Sequence, residues 1–85
     1  MTISLTPRQF STQINIDILS DQRGHYVVSL QDLEGKIFSM MSLELLEGIN
    51  AFSMNQLQHL SAGSYSFHFI NHIGKTLYNT KLIKQ

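Results

Sequence analysis

An all-β sandwich of about seven antiparallel strands is the fold this sequence predicts. Three observations carry the prediction. Apolar side chains alternate with polar ones in several short runs, the pattern of strands with one buried face. Glycine-bearing turn signals punctuate the chain about every 8–12 residues, as in a sandwich. The single proline falls near the N-terminus, outside every alternating run.

Taken in order, Thr2 to Leu5 is a short β-prone run ahead of Pro7, suited to an edge strand or a lead-in. Gln13 to Ile18 alternates cleanly, with Ile14, Ile16 and Ile18 on one face. Ser20-Asp21-Gln22-Arg23-Gly24 is a turn by its chemistry. His25 to Gln31 follows as a strand that sends Tyr26, Val28 and Leu30 inward. Asp32-Leu33-Glu34-Gly35-Lys36 is the next turn. Gly35 supplies a positive φ there, and the Asp32 carboxylate bonds to the backbone ahead of it.

Lys36 to Leu46 is a long apolar stretch of mixed pattern. Met40 to Glu47 has helix-forming composition, but Gly35 and Gly48 bracket the stretch at the spacing of its neighbours, which selects a strand with a bulge. After Glu47-Gly48, Ile49 to Met54 forms a short strand with Phe52 and Met54 on one face. Residues 55–63 make a loop carrying Leu57 and Leu60. The run from Ser64 to Ile70 then sends Tyr65, Phe67 and Phe69 one way and Ser64, Ser66 and His68 the other. Three aromatics on one face make this the central strand. The Gly63-Ser64-Tyr65 opening resembles the tyrosine corner of immunoglobulin-like sandwiches, in which a tyrosine hydroxyl bonds back to upstream backbone. Asn71 to Lys75 is a hairpin loop, and Thr76 to Lys84 is the last strand. There is no internal repeat, low-complexity segment or linker, so one domain fills residues 1–85.

Composition narrows the function. Six basic and six acidic side chains give zero net charge without clustering of either sign. Nucleic acid selects for a basic face, which is missing here; neutrality favours weak self-association instead. With no cysteine there is neither a disulfide nor a thiolate metal site. No charged and apolar leader opens the chain, and no apolar run reaches the roughly 20 residues of a spanning helix. His25, His59, His68 and His72 lack the spacing of metal ligands. The carboxylates Asp21, Asp32 and Glu34 fall in turns rather than facing each other across a cleft, and no nucleophile elbow or phosphate loop is present. These features point away from an enzyme and from a metal or cofactor. A carbohydrate platform would need outward aromatics, yet there is no Trp, and Tyr26, Tyr65 and Tyr78 fall on core faces.

The order of motifs is more specific than any one of them. Ile14-Asn15-Ile16 is followed by Val28-Ser29-Leu30-Gln31-Asp32-Leu33-Glu34-Gly35-Lys36-Ile37. Then come Leu46-Glu47-Gly48-Ile49-Asn50, Leu57-Gln58-His59-Leu60-Ser61-Ala62-Gly63-Ser64-Tyr65, and the run from Lys75 to Lys84. Over residues 5–85 this series resembles the C-terminal sorting domain of the type IX (Por) secretion system of Bacteroidetes. That family shows a V-x-L-x-D-x-x-G-K hairpin, a G-x-N turn, L-x-x-G-x-Y and a terminal strand ending in Lys or Arg. Its lead segment carries an Asn-Pro pair; here Leu5 to Phe10 keeps Pro7 and Phe10.

The resemblance implies a function carried by shape. Such a domain closes a longer precursor whose signal peptide lies on the missing N-terminal part. It folds in the periplasm and is recognised by outer-membrane sorting machinery, and its covalently linked N-terminal cargo reaches the cell surface or the medium. On this reading recognition residues are Asp32, Gly35, Lys36, Gly48, Asn50, Leu60, Gly63, Tyr65, Lys81 and Lys84. The last strand would offer an exposed edge and a basic terminus for docking. The alternative is an adhesion or carbohydrate-binding module appended to a secreted enzyme.

Overall fold

The computed structural model describes residues 1–85 as eight strands and no helix. They are β1 (Thr2–Thr6), β2 (Gln9–Phe10), β3 (Ile14–Ser20), β4 (Gly24–Asp32), β5 (Ile37–Leu45), β6 (Gly48–Met54), β7 (Gly63–Asn71) and β8 (Thr76–Lys84). One sheet runs β1-β3-β6 and the other β2-β8-β7-β4-β5. Every neighbouring pair is antiparallel except β2 and β8, which are parallel. The all-β, immunoglobulin-like sandwich expected from the alternation is the fold the chain adopts.

The inward faces are those the sequence period predicts. Ile14, Ile16 and Ile18 of β3 are buried opposite Phe67 and Phe69 of β7, which are fully buried. Val28 and Leu30 of β4, Leu43 and Leu45 of β5, and Leu82 of β8 complete the stripes of one core of 16 residues. Tyr26 stacks on Phe69 with ring centroids 4.7 Å apart, extending the aromatic row to the edge of that core.

Three departures have physical causes. The eighth strand, β2, is the piece beyond Pro7. Proline has no N–H to continue a ladder, so β1 ends, and the chain resumes pairing in the opposite sheet. Phe10, carried there, is fully buried. Second, the stretch after Lys36 is the bulged strand, not a helix. Between Leu30 and Gln31 the β4–β5 register shifts, so that Leu30 faces Ser39 while Gln31 faces Ile37, and Phe38 is the additional residue. The bulge breaks the side-chain phase, and Ile37, Phe38 and Met40 all stay exposed. Third, β8 is not a free edge at its C-terminal end. Arg8 C=O accepts from Ile83 N–H at 3.0 Å and Phe10 C=O from Gln85 N–H at 2.9 Å, so β2 closes over that end.

The passage from one sheet to the other between β5 and β6 depends on a single side chain. Asn50 Oδ1 accepts from Leu46 N–H at 2.9 Å, and its Nδ2 donates to the carbonyls of Leu46 (2.9 Å) and Gly48 (3.2 Å). The amide thus satisfies backbone groups that no ladder reaches at the crossing. No buried side-chain nitrogen or oxygen lacks a partner, as a well-formed core requires.

Removing the central ring tests the core. Phe67→Ala is expected to lower unfolding free energy by about 3–5 kcal/mol, a large share of the roughly 5–15 kcal/mol available to such a domain. Urea denaturation measures it directly; a loss under about 1 kcal/mol would contradict this packing.

Candidate functional site

Strand register decides which of the singled-out residues meet. Asp32 faces Tyr65, Tyr65 faces Leu82, and Gly63 faces Lys84. The Asp32–Lys36 hairpin, the start of β7 and the end of β8 therefore share one end of the five-stranded sheet. Gly48 pairs with Ser20, and Leu45 just before it with Gly24, so Gly48 and Asn50 lie at the opposite end of the sandwich. Their part is to make the sheet crossing.

At the first end, the loop from 55 to 62 crosses between the sheets. It is held by Leu57 N–H donating to Thr12 C=O at 2.9 Å and by the buried side chains of Leu57 and Leu60. The Tyr65 hydroxyl donates to Ser61 C=O at 2.7 Å. This is the tyrosine corner anticipated from Gly63-Ser64-Tyr65, and it ties the loop to the sheet beneath it. The Tyr65 ring is met edge-on by Phe10 (6.1 Å) and Phe38 (5.7 Å). Lys36 Nζ sits 5.1 Å from the centre of the Phe38 ring, within cation–π range. A shallow groove runs here between Asp32, Phe38, His59, Leu60 and Tyr65.

Asp32 shapes the hairpin. Its Oδ1 accepts from Glu34 N–H and Lys36 N–H, both at 2.9 Å, while Asp32 N–H donates to Lys36 C=O at 2.9 Å. Gly35 takes φ +95°, a conformation in which a side chain would be strained. The β7–β8 turn repeats this design. Asn71 Oδ1 accepts from Ile73 N–H (3.1 Å) and Lys75 N–H (2.9 Å), and Gly74 takes φ +85°. The two turns read Asp-x-x-Gly-Lys and Asn-x-x-Gly-Lys and sit at opposite ends of one sheet. The sequence reading did not connect the two turns; the signal that does is the acceptor, glycine and lysine at identical spacing.

The lysines at the chain's end divide. Lys81 is exposed, whereas Lys84 is only 8% exposed and its Nζ donates to Gln85 C=O at 2.8 Å. The expected basic terminus is thus corrected to a single solvent-facing lysine. Lys84 shares the inward parity of Leu82, and its stem covers apolar surface. Sequence reasoning also passed over Arg8, whose guanidinium donates to the Thr80 hydroxyl and, at 3.3 Å, to Lys81 C=O.

Of the four histidines, His25 and His72 line one open pocket with Glu44, and His59 and His68 lie elsewhere. His68 exchanges a hydrogen bond with Ser66 at 2.9 Å, and His25 faces Glu44 across β4 and β5. No group of three or more His, Cys, Asp or Glu side chains is placed to hold a metal. No helix is long and apolar enough to cross a membrane. What the hairpin end can offer is a shaped surface: a rigid turn, an edge of aromatic rings and one lysine. Neither models of known protein families nor curated proteins match this chain.

The twin turns give a test of what Asp32 does. Asp32→Asn is expected to stay within about 0.5 kcal/mol of the parent, since Asn71 does the same work, whereas Asp32→Ala loses two acceptor bonds and about 1–2 kcal/mol. Equal losses in urea denaturation would contradict the assignment.

Proposed function

We propose that this domain is a C-terminal sorting module of the type IX kind, read by outer-membrane secretion machinery through its surface, and that it carries a covalently linked cargo to the cell surface or the medium. The observation that supports the reading is the convergence at one sheet end of three segments the resemblance singles out, the Asp32–Lys36 hairpin, the opening of β7 and the end of β8. They are far apart in sequence and are brought together by the strand order β5-β4-β7-β8. Asp32, Gly35, Leu60, Gly63 and Tyr65 build the rigid frame. Leu33, Lys36 and Phe38 are the side chains that frame displays. Lys81 stands exposed on β8, three strands across the sheet from Ile37.

Recognition of this type needs a stable, preorganised shape more than an activated group. The partly exposed outward residues of β4 and β7 include Val27, Gln31, Ser66, His68 and Ile70, with Ser29 buried among them. That face carries no Phe, Tyr or Trp on which a sugar could stack, which supports sorting over the carbohydrate-platform alternative.

The twin hairpins supply a matched pair of variants. Residues 1–85 would be fused to the C-terminus of a fluorescent reporter bearing a signal peptide and expressed in a host with type IX machinery. Lys36→Glu is expected to lower surface and medium reporter roughly tenfold, equivalent to about 1.4 kcal/mol of recognition. Lys75→Glu, the same change in the opposite turn, is expected to leave export unchanged. Export by a strain lacking the machinery, or equal loss in both variants, would overturn the proposal.

A further inference from the structure

β5 forms one outer edge of the five-stranded sheet, with β4 as its only ladder partner. Its parity is fixed by the turn before it. Asp32 N–H bonds across to Lys36, so Leu30, Val28 and Tyr26 also bond toward β5, and their partners Ser39, Met41 and Leu43 bond back. Met40, Ser42 and Glu44 therefore turn their backbone N–H and C=O groups away from the sheet. Unpaired backbone on an edge is a template for another strand, and proteins ordinarily block it with charge, proline or a cover. Between Lys36 and Glu44 there is neither a charge nor a proline. Ile37 and Met40 are 48% and 58% exposed. The opposite edge of the same sheet is guarded: β2 covers the end of β8, and Arg8 reaches the Lys81 carbonyl.

We infer that this edge pairs with the β5 edge of a second copy of the chain, antiparallel about a two-fold axis. Charge placement selects that occupant and that direction. The uncharged run is flanked by Lys36 at one end and Glu44 at the other. Antiparallel pairing of two copies sets the lysine end of each against the glutamate end of its mate, twice per dimer. Zero net charge leaves no long-range repulsion to oppose the approach. The pairing joins two five-stranded sheets into one continuous sheet. It buries little area, so the dimer is weak, with a Kd in the roughly micromolar to millimolar range. This inference stands independently of the proposed sorting role.

Sedimentation equilibrium of residues 1–85 over a wide concentration range tests it, together with amide line-broadening by NMR. A monomer–dimer equilibrium is expected, with concentration-dependent broadening at Met40, Ser42 and Glu44. Met40→Lys, which sets two like charges at the axis where position 40 of each copy faces itself, should abolish dimerisation while leaving the far-ultraviolet dichroism unchanged. Lys36→Glu and Glu44→Lys should each weaken association about tenfold, since both flanking pairs are lost at once. The double reversal should restore it to within about twofold, because opposite charges again face each other. A chain monomeric up to about 1 mM, the weak end of the range above, would overturn the proposal. So would a dimer unaffected by Met40→Lys, or a double reversal no better than either single one.

Discussion

The hydrogen bond from the Tyr65 hydroxyl to Ser61 C=O is the constraint on which the rest of the structure leans. The chain must cross from the three-stranded sheet to the five-stranded one between β6 and β7, and a crossing loop has no ladder to satisfy its backbone. Tyr65 resolves this from the sheet below, with its ring in the core and its oxygen at the loop. Leu57 and Leu60 fill the space under the same loop. Once the loop is fixed, β7 enters in the register that puts Phe67 and Phe69 inward, and β4 and β8 pair to either side of it. Three other transitions use the same economy. Asn50 satisfies the β5–β6 crossing, and Asp32 and Asn71 satisfy the two hairpins, each with one side-chain amide or carboxylate in place of a missing strand.

That division separates structural from displayed residues. Gly48 and Asn50 belong to a turn motif that the fold needs wherever it is used, so their presence argues for architecture. At the hairpin end the frame is equally structural, but it holds out Leu33, Lys36 and Phe38, which the frame itself does not require. Lys36 lies against the Phe38 ring, and that ring against Tyr65. The displayed lysine is therefore oriented by contacts that run back to the tyrosine corner. A surface built this way is rigid before any partner arrives, and the ordering cost of binding is correspondingly small.

Much of the fold was legible because the sandwich has one buried face per strand. Ile14-x-Ile16-x-Ile18 and Tyr65-x-Phe67-x-Phe69 state their orientation without help. β2 was not legible, because two residues carry no period and their partner lies more than 70 positions away along the chain. Lys84 was misread because a lysine suggests solvent, whereas the parity it shares with Leu82 says core. The bulge at Phe38 erased the period of β5, leaving Ile37, Phe38 and Met40 without an assigned face until the β4 register supplied one. At the hairpin end, the turn chemistry of Asp32 and Gly35 was visible in the sequence. The convergence with Gly63 and Lys84 was not, since it depends on long-range strand order.

On the proposed sorting role, the Asp32–Lys36 end of the sandwich is the part that touches the secretion machinery. Site-specific photo-crosslinking in cells tests it most directly, with a photoreactive amino acid replacing Leu33 in one fusion and His72, its counterpart in the twin turn, in another. Crosslinks to outer-membrane machinery are expected from position 33 and none from position 72. Crosslinks from position 72 alone, or from neither, would contradict it.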